Sequence, residues 1–213
     1  MDFVSILVVF GVVIFSMVLH EMAHAYMAYF LGDTTAKDEG RLSPNPLVHL
    51  DPMMSVLVPL LLFMTGGVIF GGAKPVPINT RNLKGGAWGM ALVGFAGPLL
   101  NVILAFVSFL IGHFTGLMYE SGVVALIFQY MVTANLGFFA FNMIPIPPLD
   151  GSRILYAIAP DGVRGLMEKM ERTTGIFIVL LLVMFFGTAL AQVTSTVVMA
   201  IWKFFYLIVG IQL

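Results

Sequence analysis

Cysteine is absent from this 213-residue chain, and charged residues are scarce. Without cysteine there are no disulfides, thiolate metal sites or cysteine nucleophiles, so any bound metal needs histidine and carboxylate ligands. Only 10% of the residues are charged, against about 25% in typical soluble proteins, and the formal net charge is -1. Basic residues occur singly or in loose pairs, which excludes a nucleic-acid-binding groove.

Hydrophobic residues make up 60% of the chain and occur in long runs. A helix needs about 20 apolar residues to cross a bilayer core of about 30 Å. Five segments meet or approach that length: 3–31, 88–113, 122–143, 175–192 and 195–213. The first follows Asp2 instead of a basic region and precedes no small-residue cleavage site, so it reads as a retained helix. We therefore expect an all-α polytopic membrane protein with about five to six transmembrane helices, forming a single domain over residues 1–213.

A sixth apolar stretch, residues 53–70, looks too short and too broken to span, because Pro59 interrupts it and Gly66 and Gly67 favour a turn. We expect a re-entrant helix or strand segment near residues 53–78. The alternative, a full crossing, would divide the basic loop residues between the two faces. With re-entry, nine of the ten basic residues share one face: Lys37, Arg41, Lys74, Arg81, Lys84, Arg153, Arg164, Lys169 and Arg172. The positive-inside rule then predicts a multi-pass cell-membrane protein with its N-terminus outside.

Ionisable residues inside the first apolar run are the main indication of chemistry. His20 and His24 are four residues apart and share one helical face, while Glu21 is displaced around the helix by about 100°. This H-E-x-x-H pattern predicts two zinc ligands with a carboxylate beside them as general base. The alternative is a pair of hydrogen-bonded core histidines, which leaves a costly intramembrane glutamate unexplained.

Two histidines do not complete a catalytic zinc site, which usually has three protein ligands and one open position. Asp150 is the best third ligand, because it follows the helix at 122–143 at the depth expected for the histidines. Three prolines at 145, 147 and 148 forbid continued helix before it. The alternative role is an N-cap for a short helix starting near Ser152, and the two roles are compatible.

These residues resemble the site-2 protease family of intramembrane zinc metalloproteases. That family combines an H-E-x-x-H helix with a later N-x-x-P-x-P-x-L-D-G segment, which is found here at residues 142–151. The agreement covers residues from about 11 to 160 and includes 32–36, 40–42, 45–52, 73–79 and 97–101. The chain looks like a compact prokaryotic branch without PDZ or CBS domains, with a catalytic core at about 3–160 and C-terminal helices at about 175–213.

The resemblance implies cleavage of peptide bonds in or near a substrate's transmembrane segment, close to the cytoplasmic face. It implies one Zn²⁺ per chain, zinc-bound water as nucleophile and Glu21 as the group that takes up and returns its proton. Asn142 would stabilise the oxyanion or position the substrate, or else form an interhelical hydrogen bond. Asn101, on a face of small residues, is expected to have a structural role.

A substrate helix must be held unwound before its carbonyls can react. The stretch at 68–78 is a candidate strand whose edge at Lys74, Val76 and Ile78 retains backbone donors for an extended substrate; the alternative is a glycine-rich loop. His49 is a candidate second-shell residue, an alternative metal position or a structural cap.

Other functions remain open at this point. A metal transporter or sensor would also use histidine and aspartate, but it needs further ionisable residues on a path to the outside. A catalytically inactive relative that binds membrane helices is a third reading, which the intact Glu21 disfavours. Iron or cobalt would suit the same ligands. The expected partners are transmembrane protein substrates and the lipid bilayer, and the sequence leaves the oligomeric state open.

Overall fold

The computed structural model describes residues 2–51 and 73–211, with side chains except at 172–180, 182 and 183. The predicted re-entrant stretch at 53–70 lies outside the described residues. Six α-helices follow one another in the described chain: α1 Phe3–Phe30, α2 Thr35–Asp38, α3 Gly86–Phe114, α4 Val123–Asn142, α5 Gly151–Ile158 and α6 Asp161–Ile208. Two short 3₁₀ helices, Pro46–Val48 and Leu117–Tyr119, lie between them.

Four described helical segments are long and apolar enough to cross a membrane: α1, α3, α4 and the part of α6 from Met184 to Ile208. Together with the absence of β-strands from the described residues, they confirm the helical polytopic membrane class. At 1.5 Å per residue, α1 and α3 are each roughly 42 Å long, which exceeds the apolar thickness of a bilayer.

The C-terminal part of the chain differs from the sequence prediction. One continuous helix, α6, replaces the two spans expected at 175–192 and 195–213, so that prediction was wrong. The predicted boundary between the two spans falls at residues 193 and 194, where side-chain hydroxyls bond within the helix. Thr194 donates to the Leu190 carbonyl at 2.8 Å, and Thr196 donates to the Gln192 carbonyl at 2.8 Å. Because these hydroxyls are satisfied by the preceding turn, the helix continues through the segment.

Helix α3 is the centre of the fold and packs against α1, α4 and α5, while α6 packs against α4. Small residues on α3, including Gly94, Ala96 and Gly97, are buried and let the neighbouring backbones approach closely. Larger apolar side chains fill the other half of the bundle. Its buried cluster consists of Ala105, Phe109, Met118, Val132, Leu136 and Phe205.

Hydrogen bonds show that the C-terminal end of α1 lies beside the N-terminal end of α3. The Lys84 amide donates to the Leu31 carbonyl at 2.9 Å, and the Asn79 amide donates to the Asp33 carboxylate at 2.7 Å. The chain therefore leaves α1 and enters α3 on the same face of the bundle. The Asp150 carbonyl lies beside Gly94, in the first third of α3, so the segment that joins α4 to α5 lies toward that face too.

Candidate metal centre

Two imidazole rings of α1 face one another within the bundle. His20 and His24 are one helical turn apart, both are buried, and their Nε2 atoms lie 3.0 Å from each other. The other ring nitrogen of each histidine has a protein partner. Nδ1 of His20 lies 2.5 Å from the Asn101 side-chain oxygen, and Nδ1 of His24 lies 2.7 Å from the Val93 carbonyl oxygen. Since these oxygens accept hydrogen bonds, each Nδ1 carries the proton and each Nε2 presents its lone pair.

Asp150 completes this group from a distant part of the chain. It directly precedes α5, after the proline-containing segment that follows α4, and its Oδ2 lies 3.2 Å from His20 Nε2 and 3.4 Å from His24 Nε2. Asp150 occupies the N-cap position of α5, as the alternative reading expected, but its side chain makes no capping hydrogen bond to that helix. The carboxylate is 20% exposed, whereas the two imidazoles are 8% and 9% exposed, and the group is therefore open on the side of Asp150.

The three donor atoms match the coordination sphere of zinc. Their separations of 3.0 Å, 3.2 Å and 3.4 Å are close to the ligand-to-ligand distance of about 3.4 Å in a tetrahedral site with ligands about 2.1 Å from the metal. Two neutral imidazole nitrogens and one carboxylate oxygen are also a donor set that zinc enzymes use. The residues present therefore fit a zinc ion, with one coordination position left for water or substrate.

Two glycines of α3 make room for this arrangement. A Cβ atom at Gly97 would lie 2.5 Å from Nε2 of His24 and 2.7 Å from Cε1 of His20. A Cβ atom at Gly94 would lie 2.9 Å from the Arg153 side chain and 3.1 Å from the Asp150 carbonyl oxygen. The distances below 3.0 Å are essentially never seen for real Cβ atoms, and 3.1 Å is tighter than most, so α3 can approach the histidines and the Asp150 segment this closely because glycine occupies these positions.

Glu21 and Asn142 have free polar side chains near the donor group in sequence. Glu21 lies between the two histidines on α1, and Asn142 is the last residue of α4. Both are half-buried, and neither forms a hydrogen bond or ion pair in the described part of the chain. The interhelical hydrogen bond considered for Asn142 is thus not seen among residues 2–51 and 73–211. Their predicted catalytic roles stay predictions.

His49 belongs to a different part of the structure. It is fully buried, and its Nε2 donates to the Ser43 carbonyl at 2.8 Å. Its own carbonyl accepts the Lys74 amide at 2.8 Å. The described donor group consists of His20, His24 and Asp150 without His49. These contacts support the structural alternative for His49.

The predicted substrate edge is only partly available. The Lys74 amide is used by His49, so Lys74 was wrongly assigned a free backbone donor. Arg41, which is buried, donates to the Lys74 and Pro75 carbonyls and fixes this segment. Residues 73–78 belong to neither a helix nor a strand. The amides of Val76 and Ile78 have no backbone partner within the described residues, so these two positions stay candidates.

Comparison with known proteins was decisive for the family. "Putative zinc metalloprotease YwhC" of Bacillus subtilis is 41% identical over 167 residues, which are 74% of this chain and 72% of that protein. The chain belongs to peptidase family M50. The profile of Peptidase family M50 itself matches residues 113–186. "Putative zinc metalloprotease Rip2" of Mycolicibacterium smegmatis is 33% identical over 186 residues, 84% of this chain and 68% of the relative. No solved structure matched the chain.

Membership of family M50 confirms the resemblance to the site-2 proteases that the motifs indicated. The protein is a zinc metalloendopeptidase of the membrane, and zinc is its metal. The four apolar spans among the described residues and the three converging donor residues agree with this class.

Sequence reasoning missed the support behind the donor atoms. Asn101 was expected to be only structural, yet its side chain holds the Nδ1 of His20. Asn135 and Ser16, which continue the contact from Asn101, were not singled out. Asparagine within a long apolar helix was the available signal, because amide groups in a membrane need partners.

Proposed function

We propose that this M50 peptidase is an intramembrane endopeptidase that hydrolyses peptide bonds in or near transmembrane segments of membrane proteins. In this proposal His20, His24 and Asp150 are the zinc ligands, and Glu21 is the general base. The observation that carries it is the convergence of the three donor atoms within 3.4 Å of one another, between helices that are apolar enough to cross a membrane. A peptidase centre built inside such a bundle meets substrates that enter the bilayer.

The depth of the histidines supports a site near one face of the membrane. His20 lies 17 residues after Phe3, or roughly 26 Å along α1, and 10 residues before Phe30, or roughly 15 Å from that end. If the stretch at 53–70 re-enters, nine of the ten basic residues lie toward the nearer face: five in the connections between α1 and α3, and four in α5 and the start of α6. By the positive-inside rule this face is cytoplasmic and the N-terminus of α1 is outside. Cleavage then takes place near the cytoplasmic side of the substrate's span.

The chemistry divides between the metal and the side chains around it. Zinc, when bound, supplies a Lewis acid that activates water and polarises a scissile carbonyl. The Glu21 carboxylate takes a proton from the attacking water and gives it to the nitrogen of the departing amine as the C–N bond breaks. The carboxylate is therefore back in its ionised form at the end of the reaction. Its lack of other hydrogen-bond partners among the described residues leaves it available for both transfers. In this proposal the Asn142 amide donates a hydrogen bond to a substrate carbonyl.

The segment at 73–78 is suited to holding a substrate extended. The side chain of Ile78 packs against the buried cluster of Ala28, Leu83 and Val93, and Ala28 is one turn along α1 from His24. In this proposal the backbone amides of Val76 and Ile78, which have no backbone partner within the described residues, pair with the backbone of an unwound substrate. Pairing of this kind offsets the loss of helical hydrogen bonds in the substrate.

Glu21→Gln tests the proposed base. The variant should retain one zinc ion per chain and lose roughly 10²–10⁴-fold in cleavage rate, because the amide cannot accept the proton. Purified protein in proteoliposomes is assayed with a membrane substrate that contains one transmembrane segment, and bound zinc is measured in parallel. Glu120→Gln, an exposed glutamate in the loop before α4, is the matched control and should cleave normally.

Three results would each contradict one part of the proposal. Cleavage by Glu21→Gln at the wild-type rate would remove Glu21 from the mechanism. Undiminished zinc binding by Asp150→Ala would remove Asp150 from the ligand set. Cleavage of a water-soluble version of the substrate at the same rate as the membrane-inserted one would contradict the intramembrane assignment.

A further inference from the structure

A line of buried amide and hydroxyl groups leads from the candidate metal centre across three helices. His20 of α1 contacts Asn101 of α3, Asn101 contacts Asn135 of α4, and Asn135 contacts Ser16 of α1. Ser16, Asn101 and Asn135 are all fully buried. The successive donor-to-acceptor distances are 2.5 Å, 2.7 Å and 2.8 Å, so each step is a short hydrogen bond.

A backbone carbonyl fixes the direction of every bond in this line. The Asn135 amide nitrogen also donates to the Met131 carbonyl at 2.8 Å. Because a carbonyl can only accept, the NH₂ group of Asn135 must face it, and the Asn135 oxygen must face Asn101. Asn101 therefore presents its own NH₂ group to Asn135 and its oxygen to His20. The Nδ1 atom of His20 must then be the donor, and Nε2 is left as the lone-pair nitrogen.

Reversing any single amide would break this order. A flipped Asn101 side chain would bring its oxygen against the Asn135 oxygen and turn its NH₂ group toward His20. Two acceptors would then face each other in a fully buried place, which folded proteins avoid. The opposite tautomer of His20, with the proton on Nε2, would need that flipped arrangement and would have no lone pair directed at the metal.

We propose that Asn135 is a positioning residue for the metal centre, although it contacts none of the three donor side chains. The Met131 carbonyl fixes the orientation of the Asn135 amide, and Asn135 in turn fixes the orientation of the Asn101 amide. Asn101 then holds the imidazole of His20 in the tautomer that binds zinc through Nε2. This inference rests on the proposed role of His20 as a zinc ligand. The tautomer itself is a property of the metal-free protein and is measured separately.

The first test is the tautomer of His20 in the metal-free protein. The chain contains four histidines, so ¹⁵N-histidine labelling gives a small set of signals, and His20→Gln identifies those of His20. In the wild type we expect a single species protonated on Nδ1. Asn135→Leu should give a mixture of tautomers, because Asn101 is free to flip. Ser16→Ala should keep the wild-type tautomer, since the Met131 carbonyl still orients Asn135.

The second test is zinc affinity, measured on the full chain by competition with a chromophoric chelator. Asn135→Leu should weaken zinc binding roughly 10-fold, at the low end of the 10–100-fold range seen when outer partners of a ligand are lost. Adding Asn101→Asp to Asn135→Leu should restore part of that loss, because both carboxylate oxygens accept and the orientation of residue 101 no longer matters. Ser16→Ala should bind zinc as the wild type does.

Several outcomes would overturn the inference. A wild-type His20 protonated on Nε2 would do so without any variant, even if Asn135→Leu failed to fold. An unchanged tautomer in Asn135→Leu, an equal effect of Ser16→Ala, or no recovery with Asn101→Asp would do so as well. If Asp150→Ala binds zinc as tightly as the wild type while the tautomer measurements agree with expectation, the proposed zinc site fails and the polar line stands.

Discussion

Gly97 offers a sharp test of whether the space between α1 and α3 is the metal site. In Gly97→Ala the new methyl carbon would lie 2.5 Å from His24 Nε2, 2.6 Å from His24 Cε1 and 2.7 Å from His20 Cε1. Ordinary van der Waals contacts begin at 3.4 Å, so the overlap is close to 1 Å. His24 cannot easily move away, because its Nδ1 is bound to the Val93 carbonyl on α3 itself.

The expected effect separates metal binding from helix stability. Alanine favours a helix by about 0.8–1.0 kcal/mol over glycine, so the substitution improves the intrinsic propensity of α3. The same methyl group pushes on both imidazole rings, at Nε2 and Cε1 of His24 and at Cε1 of His20. We expect zinc affinity to fall by roughly 100-fold, the upper end of the losses caused when the support of a ligand is altered, and cleavage to fall with it.

The assay compares Gly97→Ala with a matched control in the same membrane bundle. Gly11→Ala lies within α1, and no atom is within 4 Å of the added carbon. Both variants are titrated with zinc against a chelator, and their helix content is measured by circular dichroism. Wild-type zinc affinity in Gly97→Ala, or an equal loss in Gly11→Ala, would refute the placement of the metal between these helices.

Two further predictions concern the face that carries the loops. Burial by itself raises the pKa of Asp33, but hydrogen bonds from the Thr35 hydroxyl and from the Asn79 and Thr35 amides outweigh it and hold that pKa below its usual value. Asp33→Asn should therefore lower the free energy of unfolding by about 1–3 kcal/mol at neutral pH, and this difference should shrink below about pH 4, where the aspartate of the unfolded chain is protonated. Thermal unfolding in detergent from pH 3 to 7 measures the difference and its pH dependence. A difference that does not depend on pH would contradict the role of the charged carboxylate. Loss of the ion pair with Glu171 in Arg153→Ala should lower the free energy of unfolding by only about 0.2–1 kcal/mol, because the two side chains are 24% and 36% exposed. A double-mutant cycle measures the coupling energy of Arg153 and Glu171, which should decrease with added salt. A coupling energy above about 2 kcal/mol would contradict this prediction and make the pair a main contact between α5 and α6.

The three donor residues could be predicted from the sequence, because their prediction needs only the spacing of residues along one helix and the number of residues in each span. The four-residue spacing of His20 and His24 fixes a common helical face in any regular helix. Asp150 followed from counting helix lengths across a bilayer, since each span consumes a known number of residues. The structure brings all three side chains together, with Asp150 within 3.4 Å of both imidazoles.

The sequence was misleading where polar residues find partners that local rules do not include. The expected break between two spans fell at residues 193 and 194, yet Thr194 and Thr196 donate to carbonyls of their own helix, and α6 continues. Lys74 was expected to offer a free amide, yet the carbonyl of His49 accepts it, and these residues are far apart in sequence. Secondary-structure propensity describes a segment in isolation, whereas the hydrogen bonds of a polar group depend on which partners the fold brings close to it.

The sequence by itself determined that the protein is a helical membrane protein and which side chains are able to bind a metal. The apolar composition determines that most of the protein surface faces lipid, and the spacing of two residues determines whether they share a helical face. Neither depends on how the helices pack together. Only the tertiary structure decided how the metal centre is supported. The contact between His20 and Asn101 joins residues 81 positions apart, and that between Ser16 and Asn135 joins residues 119 positions apart. No local pattern encodes such pairs, because they exist only once α1, α3 and α4 have packed closely enough for buried amides to need one another.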